Sequence, residues 1–331
     1  MMDRLACHAP FLAQAGRAGA EVSLLAGDAS FRKYYRVRKG GEVAVLMDAP
    51  PPVEDVRPFV RVARLLEGMG LSAPRILAED AEQGFLLLED LGDATYTRLL
   101  AGGDADEADL YRLATDVLIH IHGQADAAPG WLPPYDDDLL WREASLLTDW
   151  YMPAVFGHDT PADVRDACEA AWRAVFPVLR EVSHSLVLRD YHVDNLLLLD
   201  GREGVARCGL LDFQDAVHGA VAYDLMSLLE DARRDVPDDI QRDCKARYLA
   251  AFPGLDEAAF ERAYAVLAAQ RHAKVIGIFT RLCRRDGKPD YLRHLPRLWR
   301  LLEAALRHPA LDPVARWFDT HMEKHYRITP R

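Results

Sequence analysis

Leu188-Arg189-Asp190-Tyr191-His192-Val193-Asp194-Asn195 and, downstream, Leu210-Leu211-Asp212-Phe213-Gln214-Asp215 are two polar clusters, each set at the edge of an apolar run. The runs Leu196–Leu199 and Cys208–Leu211 flank a turn at Asp200-Gly201-Arg202-Glu203-Gly204, a pattern that predicts a hairpin. Such a hairpin gathers Asp190, Asn195 and Asp212 around one point. Phosphoryl transfer needs a set of this kind: a carboxylate to take a hydroxyl proton, and a carboxylate plus an amide oxygen for a hard divalent cation. Taken singly, each of the three also reads as a turn residue, since Asp and Asn commonly close turns beside apolar runs.

Upstream, the pattern predicts strands at Glu21–Ala26, Phe31–Arg38 and Glu42–Asp48, with turns at Gly27-Asp28-Ala29-Ser30 and Lys39-Gly40-Gly41. An amphipathic, Ala-rich helix precedes them within residues 1–20. Apolar residues at Val56, Phe59, Val60, Ala63 and Leu66 predict a helix over Val56–Gly68. Ile76–Glu79 and Gly84–Glu89 supply two more strands. From about Tyr96 onward the periodicity is helical, apart from the hairpin. The fold class expected is α+β: a small antiparallel β lobe over residues 1–92, joined near Glu89–Asp93 to a mainly helical lobe over 93–331.

The bulk properties narrow the function. A net charge of −12 argues against a general nucleic-acid binder. The five cysteines (Cys7, Cys168, Cys208, Cys244 and Cys283) form no CxxC pair, so neither a zinc site nor a disulfide framework is expected. Without a signal-like segment or a long apolar run, the expectation is a cytoplasmic protein that does not engage membranes. Nothing in the composition fixes an oligomeric state.

Asp190-x-x-x-x-Asn195, followed after a short hairpin by Asp212-Phe213, resembles the aminoglycoside phosphotransferase and choline kinase-like superfamily, itself related to protein kinases. The resemblance runs from about Gly27 to Trp299. It implies a bilobed, protein-kinase-like fold, with ATP and Mg²⁺ as cofactors and a small alcohol as acceptor. It places the catalytic base at Asp190 and the metal ligands at Asn195 and Asp212. It makes His192 and Asp224 structural braces of the catalytic loop. Asp194 and Asp215 stand as secondary ligands or as solvated or capping residues. It lays the turn carrying Ser30 and Arg32 over the ATP phosphates, and it assigns backbone hydrogen bonds to adenine at Glu89 and Leu91. It also implies a phosphate-binding lysine on the third strand, where this chain has Val45-Leu46-Met47-Asp48; Arg32, Lys33 and Arg36 remain the open replacements.

Within the superfamily, Gly27–Arg36, Met47–Pro51, Leu188–Asn195 and Leu211–Ala216 together resemble the anomeric N-acetylmuramate/N-acetylglucosamine kinases of peptidoglycan recycling. That subgroup shares the missing strand lysine, and its acceptor is the C1 hydroxyl of an amino sugar. Arg271, Lys274 and Arg281 recur at helical spacing. They read either as a solvated helix face or as cations for the sugar's carboxylate or acetamido oxygen. Two other functions remain open. One is a kinase of aminoglycosides, choline or a related alcohol, for which Asp136-Asp137-Asp138 is the acidic candidate. The other is an inactive nucleotide-binding protein on the same fold.

Overall fold

The computed structural model describes residues 4–27 and 31–330. Packing divides the chain into two compact units, Met1–Val117 with Val193–Asp215, and Leu118–His192 with Ala216–Arg331.

The first unit is built on helix α1 (Arg4–Gln14) and strands β1 (Glu21–Gly27), β2 (Lys33–Lys39), β3 (Glu42–Asp48), β4 (Ile76–Asp80) and β5 (Phe85–Glu89), with α2 (Arg57–Gly68) between β3 and β4. The five strands form one sheet in the order β1-β2-β3-β5-β4, antiparallel throughout. The β2–β3 turn is Gly40-Gly41, both at positive φ (56° and 85°). That pair is what a two-residue hairpin matching the strand twist demands. The second strand begins two residues later than the sequence predicts, because pairing with β1 ends at Gly27↔Lys33 and leaves Phe31 and Arg32 beyond the sheet. Phe11 and Leu12 of α1 pack with Tyr35, Val37, Leu46, Phe85 and Leu87 under the sheet. Helices α3 (Tyr96–Gly102) and α4 (Glu107–His122) follow. The hairpin is present: β7 (Leu196–Leu198) pairs antiparallel with β8 (Cys208–Leu210), in register Leu196↔Leu210.

The second unit contains α5 (Asp137–Ala144), α6 (Met152–Phe156), α7 (Ala162–Val175), the strand pair β6 (His184–Val187) and β9 (Val217–Ala220), and helices α8 (Ala222–Leu229), α9 (Asp238–Ala251), α10 (Glu257–Asp286), α11 (Leu295–Ala305) and α12 (Asp312–His321). Its axis is the 30-residue α10. Asp256 caps its first amides, and Gly287 ends it in a left-handed conformation. A Cβ on Gly277 would meet the Leu146 backbone at 2.3 Å, so only glycine admits that close approach. Among the described residues, no helix is long and apolar enough to cross a membrane.

Candidate active site

In the first unit, a cavity of about 340 Å³ is walled by Leu25, Tyr34, Val45, Leu88, Leu197 and Leu211. Glu89–Gly92 also line it, as do Asn195 and Asp212. Its size and apolar walls, with a few polar groups, suit a planar heterocycle. The Glu89 N–H already donates to the Arg75 carbonyl at 2.8 Å. The Glu89–Gly92 segment is stapled by Arg36, whose guanidinium bonds Asp90 (2.6 and 3.2 Å) and Asp93 (2.9 and 3.0 Å).

Strand parity locates the missing lysine. Val45 lines the cavity, and Met47, two residues on, shares its face and is buried opposite Tyr34. Arg36 follows cavity-lining Tyr34 by two residues in β2 and therefore shares its face, whereas Lys33 alternates away and is exposed; Arg32 precedes the strand, so its place is given by its contacts rather than by parity. Arg36 is held by Asp90 and Asp93. Arg32 is the member of the trio that reaches Asp212, with Nη2 at 3.6 Å from the carboxylate and Nε at 3.9 Å from Glu54. Ser30 lies outside the described residues.

The ends of the β7–β8 hairpin bring Asn195 and Asp212 together. The Leu211 N–H donates to the Asn195 carbonyl (2.9 Å), and Asn195 Nδ2 donates to Asp212 Oδ2 (3.4 Å). Gln214 Nε2 donates to Asp212 Oδ1 at 2.8 Å. Asp212 sits at φ 59°, a left-handed conformation costly for a side-chain-bearing residue. The next residue anchors it: Phe213 is buried and stacks on Phe59 of α2 at 4.8 Å. Two adjacent oxygen-bearing side chains fit Mg²⁺, which takes one or two protein ligands and fills its remaining positions with phosphate oxygens and water. The Thr97 hydroxyl donates to Asp194, and Asp215 is exposed.

In the second unit, Asp190 follows the other strained residue, Arg189 at φ 69°. A tight turn closes there, with the Asp190 N–H donating to the Leu188 carbonyl at 2.9 Å. Asp224 of α8 fixes this turn from below by accepting the Leu188 and Arg189 amides at 2.6 and 3.0 Å. Burial pushes the Asp224 carboxyl up, to about 7, against the pull of those amides and Arg271. Burial acts the same way on Asp190, but Lys274, then Arg271 and Arg189, outweigh it and hold the carboxyl below its ordinary value. Burial, then Arg233, pushes the His192 imidazole down to about 4, so it is neutral at physiological pH.

Arg271 and Lys274 are both about 5% exposed, which removes the solvated-face reading for these two; Arg281 is half-buried. Lys274 Nζ bonds Glu143 at 2.7 Å, and Arg271 packs over the Tyr223 ring with Asp190 in electrostatic reach. Glu143, itself buried, also accepts from Arg189, from the Tyr135 hydroxyl and from Gln270 Nε2 (3.3 Å). The acidic run Asp136-Asp137-Asp138 begins α5, with Asp136 capping Leu139 N–H at 2.8 Å.

A model of the phosphotransferase enzyme family known as APH matches residues 21–261. The chain belongs to that family. Curated relatives of this phosphotransferase are named N-acetylmuramate/N-acetylglucosamine kinases. The one from Pseudomonas aeruginosa is 44% identical over 303 residues, covering 88% of this chain and 86% of the relative. The one from Caulobacter vibrioides is 38% identical and covers 97% of each chain. Solved structures share the protein-kinase-like fold at low identity. A choline/ethanolamine kinase family protein from Mesorhizobium loti matches with TM-score 0.61 at 15% identity, covering 96% of this chain and 100% of its own. An ethanolamine kinase from Plasmodium vivax matches with TM-score 0.62 at 12% identity, covering 88% and 84%.

Two residues of this phosphotransferase escape a sequence reading. Glu143 stands in Leu140-Trp141-Arg142-Glu143-Ala144, where nothing separates it from a solvated helical glutamate except its apolar neighbours. Glu54 follows the Pro-rich stop after β3 and pairs with Arg32 only because the chain folds back there.

Proposed function

We propose that this protein is a Mg²⁺-ATP-dependent kinase that phosphorylates the C1 hydroxyl of N-acetylmuramate and N-acetylglucosamine in cell-wall recycling. The observation that carries the chemistry is the ionised, partly exposed Asp190 carboxylate, surrounded by fixed cations on a strained turn. The acceptor is supported by the names of four relatives at 33–44% identity over most of the chain.

In this reading Asp190 orients the acceptor hydroxyl and takes its proton. Asn195 and Asp212 hold the metal, which neutralises the phosphates. The Glu89 and Leu91 backbone holds adenine, while Ser30 and Arg32 hold the phosphates. Arg32 with Glu54 takes over the task of the absent strand lysine. His192 and Asp224 brace the catalytic loop. Arg271, Lys274 and Arg281 supply positive potential on the acceptor side. A phosphorus-NMR or coupled assay with Mg²⁺-ATP against N-acetylmuramate, N-acetylglucosamine, an aminoglycoside and choline tests the assignment. Turnover of the last two alone overturns it.

Two predictions follow from the nucleotide side. Arg32→Ala should raise KM for ATP roughly tenfold, the loss of one charge-assisted hydrogen bond, whereas Lys33→Ala leaves it near the parent value. Equal effects of both substitutions would contradict the placement of Arg32 beside Asp212. Asp212→Ala and Asn195→Ala should each shift the Mg²⁺ titration of turnover to higher concentration, and an unchanged Mg²⁺ requirement in both removes them as ligands.

A further inference from the structure

Glu143 is buried at the C-terminal end of α5, and its donors arrive from three other stretches of the second unit. Its Oε1 accepts from Lys274 Nζ at 2.7 Å and from Arg189 Nη2. Its Oε2 accepts from the Tyr135 hydroxyl and from Gln270 Nε2 at 3.3 Å. Each oxygen thus has two donors, one for each lone pair. Gln270 and Lys274 lie one turn apart on α10, and Gln270 Nε2 also donates to the Leu140 carbonyl of α5 at 3.0 Å. Those contacts fix the glutamate against α10. Arg189 is the one of the four donors that belongs to the segment carrying Asp190.

Arg189 has a conformation that an arginine adopts at a cost. Its φ of 69° is left-handed, where glycine sits without strain and a side chain does not. The backbone bonds of the turn do not ask for an arginine. Asp224 accepts the Leu188 and Arg189 amides at 2.6 and 3.0 Å, and the Asp190 N–H donates to the Leu188 carbonyl at 2.9 Å. A glycine at 189 would make the same three bonds. What the arginine adds is its guanidinium, which bonds Glu143 and lies over the Tyr135 ring, 5.9 Å from the centroid. A strained residue persists where its surroundings over-determine it, and such strain clusters at reacting centres.

We propose that Glu143 is a positioning residue for Asp190 and acts through Arg189. The inference rests on the reading of Asp190 as the base. Asp224, from α8, holds the turn by two adjacent amides. A turn held only there can pivot about the line through them. The Arg189 side chain, tied to Glu143 on α5, is a third attachment off that line and stops the pivot. The Asp190 carboxylate, next in the chain, then keeps one angle to the acceptor hydroxyl. A small error in that angle is expensive, because proton transfer and in-line attack both need the hydroxyl aligned.

The test is steady-state kinetics with Mg²⁺-ATP and N-acetylmuramate, paired with urea unfolding, on Arg189→Gly, Arg189→Lys, Glu143→Gln and the Arg189→Gly, Glu143→Gln double variant, with Asp190→Asn as reference. Arg189→Gly should fold, since Glu143 keeps Lys274 as its counter-charge and the relieved strain offsets the chain freedom that glycine adds. Its kcat should nevertheless fall roughly tenfold or more, with KM for ATP little changed. Arg189→Lys should recover part of that loss. Glu143→Gln should lower kcat by a similar factor, and in the double variant it should add little to the loss from Arg189→Gly, because both act through one contact. Parent kcat in Arg189→Gly overturns the proposal. So do losses that multiply in the double variant, which would mean that Glu143 reaches the base by another route. Near-normal turnover in Asp190→Asn instead sinks the base reading, and the positioning role with it; an inactive Asp190→Asn beside a fully active Arg189→Gly sinks the positioning role alone.

Discussion

Asp190→Asn is expected to lower kcat by roughly 10²-fold or more, with little change in KM for ATP. The amide is isosteric and still accepts a hydrogen bond from the acceptor hydroxyl, so positioning survives in part, but it cannot take the proton. The surroundings of Asp190 show why the charge matters. Lys274 and Arg271 hold the carboxyl below its usual range despite burial, so it is ionised at neutral pH. A depressed pKa makes a weak base, which suits phosphoryl transfer: its loose transition state asks for orientation of the nucleophile more than for early proton removal. The same field predicts the pH profile. His192 is pushed down to about 4, so turnover should show no limb near pH 6.5 arising from this histidine. A pH series of kcat on the parent and on His192→Gln checks this, and a limb near 6.5 lost in the variant contradicts it. Near-normal turnover by Asp190→Asn removes Asp190 from the base role.

The elements set by local chemistry were legible in the sequence. The five strands follow from short runs bounded by Gly and Pro, the fifth of them continuously apolar, and the β7–β8 hairpin from two apolar runs about a Gly-rich turn. Asn195 and Asp212 were legible for the same reason: they immediately flank that hairpin, so its register brings them together. Lys33 was not separable from Arg36 without the sheet register, because a slip of one residue exchanges the cavity face for the solvent face, and Arg32 was not separable from either because only the fold shows that it precedes β2 and approaches Asp212. The basic segment of α10 was ambiguous for a different reason. Its spacing suits a solvated stripe as well as a buried one, and the choice was made by Glu143, far away in sequence. Charge balance in a core depends on partners that only the tertiary fold supplies.

Glu143→Ala is expected to cost about 3–5 kcal/mol of folding stability, the usual consequence of deleting one member of a buried ion pair. Glu143 accepts from Lys274, Arg189, Tyr135 and Gln270, so its loss leaves two buried cations against the remaining Asp190. Its titration gives a separate measure of the same quantity. Burial alone would raise the carboxyl, but Lys274 and Arg189, with hydrogen bonds from Lys274 and Tyr135, hold it at about 2. A carboxyl moved from its ordinary 4.5 to about 2 in the fold carries about 3 kcal/mol of linked stability. The sign follows from the lowered value: the contribution is complete above pH 4.5 and is lost as pH falls toward 2. Urea unfolding of parent and Glu143→Ala at neutral pH checks the first figure. The difference between them should shrink as pH is lowered through that window, because the parent then loses what the variant already lacks. Removing both charges tests the cause. Glu143→Met combined with Lys274→Met should be far less destabilising than the sum of the single changes, since neither charge is then left alone. Additive losses would show that Glu143 acts through packing rather than charge. The double variant should still lose turnover, because Lys274 is the first among the cations that keep Asp190 ionised.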